Sequence, residues 1–145
     1  MANKTLTAAN SIITISIADL VPSPVQLQGF AADAIYDTEA IEQAQTSMGV
    51  DGKLSAGLVL METPWNVHLQ ADSDSNQLFD TWIAQQKQQR EVYFANGSIV
   101  LPSLKTAITL TKGVLTRAPM MPNAAKTMQP RAYTIVWESV TPAGI

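Results

Sequence analysis

Few residues of this chain have the potential for chemistry, and they do not converge. His68 is the single histidine, and the chain contains no cysteine with which it could share a metal ion. It lies on the polar side of a segment in which apolar and polar residues alternate. This position favours a solvent-facing or interface residue over a catalytic one.

Two acidic motifs have spacings that resemble functional sites. Asp72-Ser-Asp-Ser-Asn76 begins like a calcium-binding loop, but it lacks the glycine at the sixth position, and Ile83 stands where the glutamate belongs. A helix-capping role is therefore favoured. Asp37 and Glu39 alternate onto one strand face, yet no second group converges on them, so a solvated face is favoured over acid–base catalysis.

Phosphate-binding and nucleophile motifs are absent from the sequence. The glycine-containing segment Gly49-Val-Asp-Gly52 has no following Lys-Ser/Thr pair, and no nucleophile elbow or dinucleotide fingerprint occurs. We therefore predict a protein that is not an enzyme, with no catalytic residues, no cofactor and no metal site.

Composition predicts one domain over residues 1–145 with a surface that meets other proteins. Hydrophobic residues make up 46% of the chain and charged residues 14%, against roughly 25% charged in an average soluble domain. This is too apolar for disorder and poor in solubilising charge. No apolar run approaches the ~18 residues of a spanning helix, and the N-terminus does not resemble a signal peptide. We expect a soluble, intracellular protein without a membrane anchor.

Charge is unevenly distributed along the chain. The net charge of −3 argues against ordinary double-stranded DNA binding, which requires an excess of basic residues. Ten acidic residues and one base lie between Asp19 and Asp80, whereas seven bases and two acids follow Asp80. The asymmetry is typical of one acidic and one basic surface, suited to head-to-tail contacts between copies. The alternative, that both halves fold together and their charges are neighbours, stays open.

The first part of the chain predicts strands and a hairpin. Residues 11–18 alternate in the period of a strand, Pro22 and Pro24 predict a turn after it, and residues 25–36 predict a second strand or hairpin arm. Asp51-Gly52 then predicts the turn of a long, partly exposed hairpin. Its apolar flanks must pack on their own domain or dock on a neighbour.

One helix and a meander of strands complete the pattern. Asp74 is the predicted N-cap, and the apolar stripe of the helix is Leu78, Phe79, Trp82 and Ile83. Further turns are predicted at Asn96-Gly97 and at Gly113, and a closing strand over residues 131–140. We therefore predict an α+β, mainly β fold of seven or eight strands. Two packed antiparallel sheets form a sandwich or barrel, flanked by one helix at a sheet edge or barrel end.

The chain resembles bacteriophage tail tube proteins, the small partners of the contractile tail sheath in myovirus-type phages. The likeness runs from about residue 10 to the end. The segments that carry it are Asp51–Gly57, Leu69–Ser73 with Phe79–Trp82, Arg90–Gly97, Leu110–Gly113, and Gln129–Arg131 with Thr134–Glu138.

The resemblance implies a structural virion protein. In that family a fold of two antiparallel sheets with a flanking helix, shared with type VI secretion tubes, forms hexameric rings. The rings stack into a hollow tube through which the genome is ejected inside the sheath. The implied partners are further copies of the chain, the sheath protein on the outer face, and the tape measure protein and passing DNA in the lumen, without specific binding. The implied location is the virion tail, assembled in the host cytoplasm.

Two groups of residues are candidates for these roles. The resemblance implies that residues 40–62 form an inter-subunit hairpin, and acidic residues that line the lumen would repel DNA and let it slide. The candidate hairpin residues are Met48, Val50, Asp51, Leu54, Leu58 and Leu60, and the candidate lumen-facing acids are Asp33, Asp37 and Glu39. The alternative is a monomeric β-rich virion adaptor or ligand-binding module.

Overall fold

Strand pairing dominates the fold. The computed structural model describes residues 11–31, 35–121 and 123–144. The nine strands within these ranges form two antiparallel sheets, and the same ranges contain one α-helix. This confirms the predicted mainly β fold class. The elements are β1 (Ile12–Ile17), β2 (Val21–Gln26), β3 (Tyr36–Thr38), β4 (Ala44–Met48), β5 (Leu54–Leu58), β6 (Thr63–Leu69), α1 (Asn76–Gln89), β7 (Ala95–Leu101), β8 (Thr106–Arg117) and β9 (Arg131–Gly144).

The larger sheet contains seven strands in the order β2-β1-β7-β8-β9-β6-β3, and β4 and β5 form the second sheet as a hairpin. Alternate residues of the large sheet face one core, as the period of two requires. Strands β1, β6 and β9 contribute many of the buried residues, which are Ile13, Ile15, Ile17, Trp65, Val67, Leu69, Tyr133, Ile135 and Trp137.

The large sheet is strongly curled. Leu27 N–H donates to the Ile13 carbonyl on the β2 side of β1, and Ala31 N–H donates to the His68 carbonyl on the β3 side of β6. A flat sheet of this order would separate those two sides by about 29 Å. Four residues of extended chain reach about 14 Å. The two edges must therefore approach each other, and the segment 27–31 bridges them without closing the sheet.

Helix α1 covers the core. Phe79 and Trp82 are fully buried, and the Phe79 ring stacks on Tyr133 with centroids 4.1 Å apart. The predicted N-cap is wrong: the cap is Ser75, without a side-chain capping bond. The Ser75 hydroxyl instead accepts a hydrogen bond from Gln28 N–H at 2.8 Å, which ties the helix start to the bridging segment.

The turn predicted at the prolines is also misplaced. Residues 18–20 form the turn, and Asp19 adopts a positive φ of 66° there. Pro22 and Pro24 lie inside β2, which is the edge strand of the sheet. An edge strand leaves one row of N–H groups without a ladder partner, so proline is tolerated. Of the second predicted strand over 25–36, only residues 25 and 26 belong to β2, and the residues 32–34 lie outside the described ranges.

The turns predicted at Asn96-Gly97 and at Gly113 are wrong. Gly97 lies within β7 between β1 and β8, and a Cβ there would lie 2.7 Å from the Thr14 carbonyl oxygen. Gly113 lies within β8, where a Cβ would lie 2.5 Å from the Trp137 ring. Both glycines therefore allow a close approach of packed elements. The connection between β7 and β8 is a short 3-10 turn at Pro102–Leu104.

Gly113 generates a stability prediction. The Gly113→Ala variant should lose about 1–3 kcal/mol of unfolding free energy, because the added methyl group overlaps the buried Trp137 indole. The matched control is Gly57→Ala in β5, where a Cβ meets no atom within 4 Å. Urea denaturation of both variants measures the difference. Equal midpoints would contradict the close packing at Gly113.

A second prediction follows from the buried hydroxyl of Tyr133, which donates to Asn76 Oδ1 at 3.0 Å. Burial raises the pKa of Tyr133 to about 12, although the Arg131 charge partly opposes this shift. In the unfolded chain the pKa is near 10.0, so the unfolded state loses its proton first and is favoured as the pH rises from about 10 to 12.

Wild type should therefore lose more stability over that pH interval than Tyr133→Phe, which has no proton to lose. Urea unfolding at pH 9, 10 and 11 measures both proteins. Parallel stability curves would show that the hydroxyl titrates as freely in the folded chain as in the unfolded one.

Candidate assembly interface

The β4–β5 hairpin has one apolar and one polar face. Directly opposed residues of an antiparallel pair share a face. We call one side the hairpin face; it consists of the opposed pairs Ala44 and Leu58, Thr46 and Ala56, and Met48 and Leu54. The other side carries Gln45, Ser47, Ser55 and Gly57.

The turn of the hairpin lies where the sequence predicts it. Gly49 N–H donates to the Lys53 carbonyl at 2.8 Å, and the Asp51 carboxylate accepts from Lys53 N–H at 3.2 Å. Gly52 has a φ of +82°, which explains the glycine after Asp51. Val50 at the tip is fully exposed, with a relative exposure of 111%. We call residues 49–53 the hairpin turn.

Every residue of β4 and β5 is exposed, so the hairpin contributes its apolar side chains to solvent and not to the core. Met48, Leu54 and Leu58 are each more than 60% exposed, and Leu60 beyond the hairpin is 89% exposed. An isolated two-stranded hairpin is marginally stable in water, and contiguous apolar patches mark interaction sites. The structure therefore brings three of the predicted hairpin residues, Met48, Leu54 and Leu58, together on one exposed face, whereas Val50 and Asp51 lie in the turn and Leu60 lies beyond the hairpin.

An apolar groove of about 590 Å³ lies at the base of the hairpin, and we call it the base groove. Residues from the hairpin end, from the segment before β7 and from the outer face of β8 and β9 line it. They include Leu60, Met61, Phe94, Lys112, Val136 and Glu138. The strand residues that line the groove point away from the core, because their sequence neighbours, among them Gly113 and Trp137, lie on the core side of the sheet.

Two opposite charges lie in the base groove. Lys112 Nζ is 3.9 Å from Glu138 Oε2 and 5.1 Å from the centre of the Phe94 ring. Both charged side chains are more than half exposed, so this ion pair adds little stability by itself. The sequence pattern did not lead to a prediction of this groove. The feature that indicates it is the pair of apolar residues, Val114 and Val136, at outward strand positions.

The three candidate lumen-facing acids have different surroundings. Asp33 lies outside the described residues. Glu39 is exposed just after β3. Asp37 lies on β3 and accepts a hydrogen bond from Asn66 Nδ2 at 2.8 Å, and its second oxygen is 2.7 Å from His68 Nε2. The contacts with Asn66 and then His68 hold the pKa of Asp37 below its ordinary value, so the carboxylate is charged at neutral pH.

His68 therefore belongs to a polar network on the outer face of the sheet. Thr134 donates to Asn66 Oδ1 at 2.6 Å, so the network crosses β9, β6 and β3. Cross-strand contacts of this kind stabilise sheet pairing.

Opposite charges from the two halves of the sequence meet at one buried position. Arg131 is 6% exposed and donates to Asp80 Oδ1 at 2.9 Å and to the Pro119 carbonyl at 2.9 Å. An acid of the first half and a base of the second half are therefore direct neighbours here. This agrees with the alternative that the two halves fold together with their charges side by side. The pair fixes the start of β9 against helix α1.

Neither a metal centre nor a spanning helix is visible in the described ranges. No three side chains of the metal-ligating types come together in residues 11–31, 35–121 and 123–144. Over the same ranges, no helix combines the length and the apolar character needed to cross a bilayer.

Solved structures with a similar fold come from contractile injection systems. A chain of the anti-feeding prophage cap, described as the tube terminating cap, has a TM-score of 0.63 and 11% identity, with 100% of this chain and 95% of that chain covered. A chain of an extracellular contractile injection system, in its sheath-tube complex in the extended state, has a TM-score of 0.58 and 13% identity, with 99% and 95% covered. The sheath/tube terminator of such a system gives a TM-score of 0.61 at 13% identity, with 99% and 100% covered.

At these identities the likeness shows a shared fold, and it extends over whole chains. A comparison with curated protein sequences gives no match. The comparisons do not single out the tail tube. A family profile described as tail fiber protein gp32 matches residues 4–141. Because that match covers nearly the whole chain, the protein belongs to the tail fiber protein gp32 family.

Proposed function

We propose that this chain is a structural virion protein that self-assembles as stacked hexameric rings into the inner tube of a contractile tail. The tube is the conduit for genome ejection inside the sheath. The chain acts in the virion tail after assembly in the host cytoplasm, and it has no catalytic role.

The exposed hairpin face carries this proposal. Full burial of one large apolar side chain is worth about 1.5–3 kcal/mol, and Met48, Leu54 and Leu58 all remain in solvent on the single chain. The core of the large sheet is complete without them. Residues that a monomer leaves exposed on one face are best explained by a contact between copies, which is the role of residues 40–62 in this proposal.

The sheet edges support the same reading. Among the described residues, β2 and β3 end the large sheet, so each has one side that pairs with no further strand of the sheet. Oligomers that close such edges remove an aggregation hazard. A heterologous contact repeated by rotation and rise produces rings and open helical assemblies. The match to chains from sheath-tube and tube-cap structures makes a tube the favoured form of that assembly.

The lumen in this proposal is lined by Asp33, Asp37 and Glu39. A low pKa keeps Asp37 charged, and a charged wall repels the phosphates of passing DNA. DNA and the tape measure protein would then pass without specific binding. The sheath protein would contact the outer surface of the tube.

A second candidate is a monomeric β-rich virion adaptor. The family description, which names a tail fiber protein, favours this alternative, and so does the base groove as a ligand-sized surface. An adaptor of this kind would show no tendency to polymerise.

The first prediction on function concerns the unmodified protein. Negative-stain electron microscopy of purified wild type, with light scattering at several concentrations, should show rings or hollow tubes. A particle that stays monomeric at all concentrations would favour the adaptor and remove the support for the tube.

The second prediction uses a shortened hairpin. Val59 N–H donates to the Gln43 carbonyl at 3.0 Å, so residues 44–58 can be replaced by an Asn-Gly turn without separating the remaining ends. This variant should fold, because the large sheet keeps its core. It should remain monomeric, because the chain no longer has the hairpin face. Circular dichroism and light scattering measure the two properties.

A matched control leaves the hairpin in place and changes its polar side, with Ser47→Ala and Ser55→Ala. This control should assemble like wild type. Tubes of normal length from the shortened variant would overturn the assignment of residues 40–62 to the interface.

A further inference from the structure

The hairpin turn and the base groove are complementary parts of one surface. The turn presents a fully exposed Val50, which is followed by one acid, Asp51, and one base, Lys53. The groove presents apolar side chains beside one base, Lys112, and one acid, Glu138. A single chain therefore carries an apolar projection with two charges and an apolar recess with two charges.

The turn cannot fill the groove of its own chain. Leu60 lines the groove, and the five residues of β5 lie between it and Lys53. At the rise of a β-strand these five residues span about 17 Å. The ladder of β4 and β5 keeps the hairpin extended, so the turn projects away from the groove.

We propose that the base groove is the receptor for the hairpin turn of a second copy of this chain. Val50 enters between Phe94 and Val136, Asp51 faces Lys112, and Lys53 faces Glu138. This proposal rests on the proposed function and deepens it, because it names the surface that receives the hairpin. Projection and recess lie on different parts of the chain, so the contact is heterologous and adds copies head to tail, in a ring or in an open assembly.

The charges of the turn and of the groove favour a second copy over an unrelated protein as the occupant of the groove. The charges of the turn are the mirror of those in the groove, and complementary charges fix register while they suppress wrong pairings. The Lys112–Glu138 pair is exposed and long, so its members are free to exchange partners at little cost. Apolar contacts at Val50 supply the burial that the exposed tip lacks.

A charge exchange tests the register of this contact. Glu138→Lys places like charges opposite Lys53, and Lys53→Glu places like charges opposite Glu138. Each single variant should raise the protein concentration needed for assembly at least about tenfold. The double variant restores opposite charges and should assemble within about threefold of wild type.

The control variant is Glu91→Lys, which makes the same charge change on an exposed residue outside the turn, the groove and the candidate lumen wall. It should assemble like wild type. Circular dichroism confirms folding of each variant. Single variants that assemble normally, or a double variant that is no better than the singles, would overturn the proposal.

Crosslinking separates this proposal from the tube itself. Because the chain contains no cysteine, Val50→Cys and Val136→Cys introduce the sole thiols. A tagged Val50→Cys protein mixed with untagged Val136→Cys should form a mixed disulfide dimer on mild oxidation, and each variant alone should not link efficiently to itself.

Mixed dimers from a protein that forms no tubes would support the groove contact and reject the tube. Tubes without mixed dimers would support the tube and reject the groove as the receptor.

Discussion

The contact between helix α1 and strand β9 organises the whole structure. Phe79 stacks on Tyr133, whose hydroxyl bonds to Asn76, and Arg131 at the start of β9 binds Asp80. These contacts are spaced along one strand and one helix, so they fix both the position and the rotation of α1. The curled sheet can bury its inner residues because this helix covers the opening. Without that packing, the fully buried Phe79 and Trp82 of the helix and the Tyr133 ring of β9 would face water.

The core of the subunit is complete without the hairpin. The inward positions of the large sheet and the helix bury their apolar side chains within one chain, so the hairpin is not required to form that core. Its apolar residues are instead concentrated on one face, next to a groove of similar character. Stability of the subunit and association between subunits are therefore separated in space. A hairpin that projects and a groove that receives suit a protein that must fold first and assemble afterwards.

Local signals predicted those parts of the fold that depend on neighbours in sequence. The Asp51-Gly52 turn, the alternation of β1 and β9, and the apolar stripe around Phe79 were all read from a few adjacent residues. The long hairpin was predicted from the same turn and its apolar flanks, and its inter-subunit role was implied by the resemblance to tail tube proteins. Local signals could not predict the base groove, because it joins residues that are up to 78 positions apart, from Leu60 to Glu138.

The sequence alone determined that the chain is mainly β with one helix, has few groups suited to catalysis, and carries a long hairpin. Tertiary structure decided whether glycine and proline residues lie in turns or in strands. Asn96-Gly97 and Gly113 have the chemistry of turns, yet they lie in strands because β1 and the Trp137 ring approach them closely. Pro22 and Pro24 stay in a strand because that strand forms an edge. Glycine and proline specify which backbone conformations and contacts are allowed, and the pairing of distant strands selects among them.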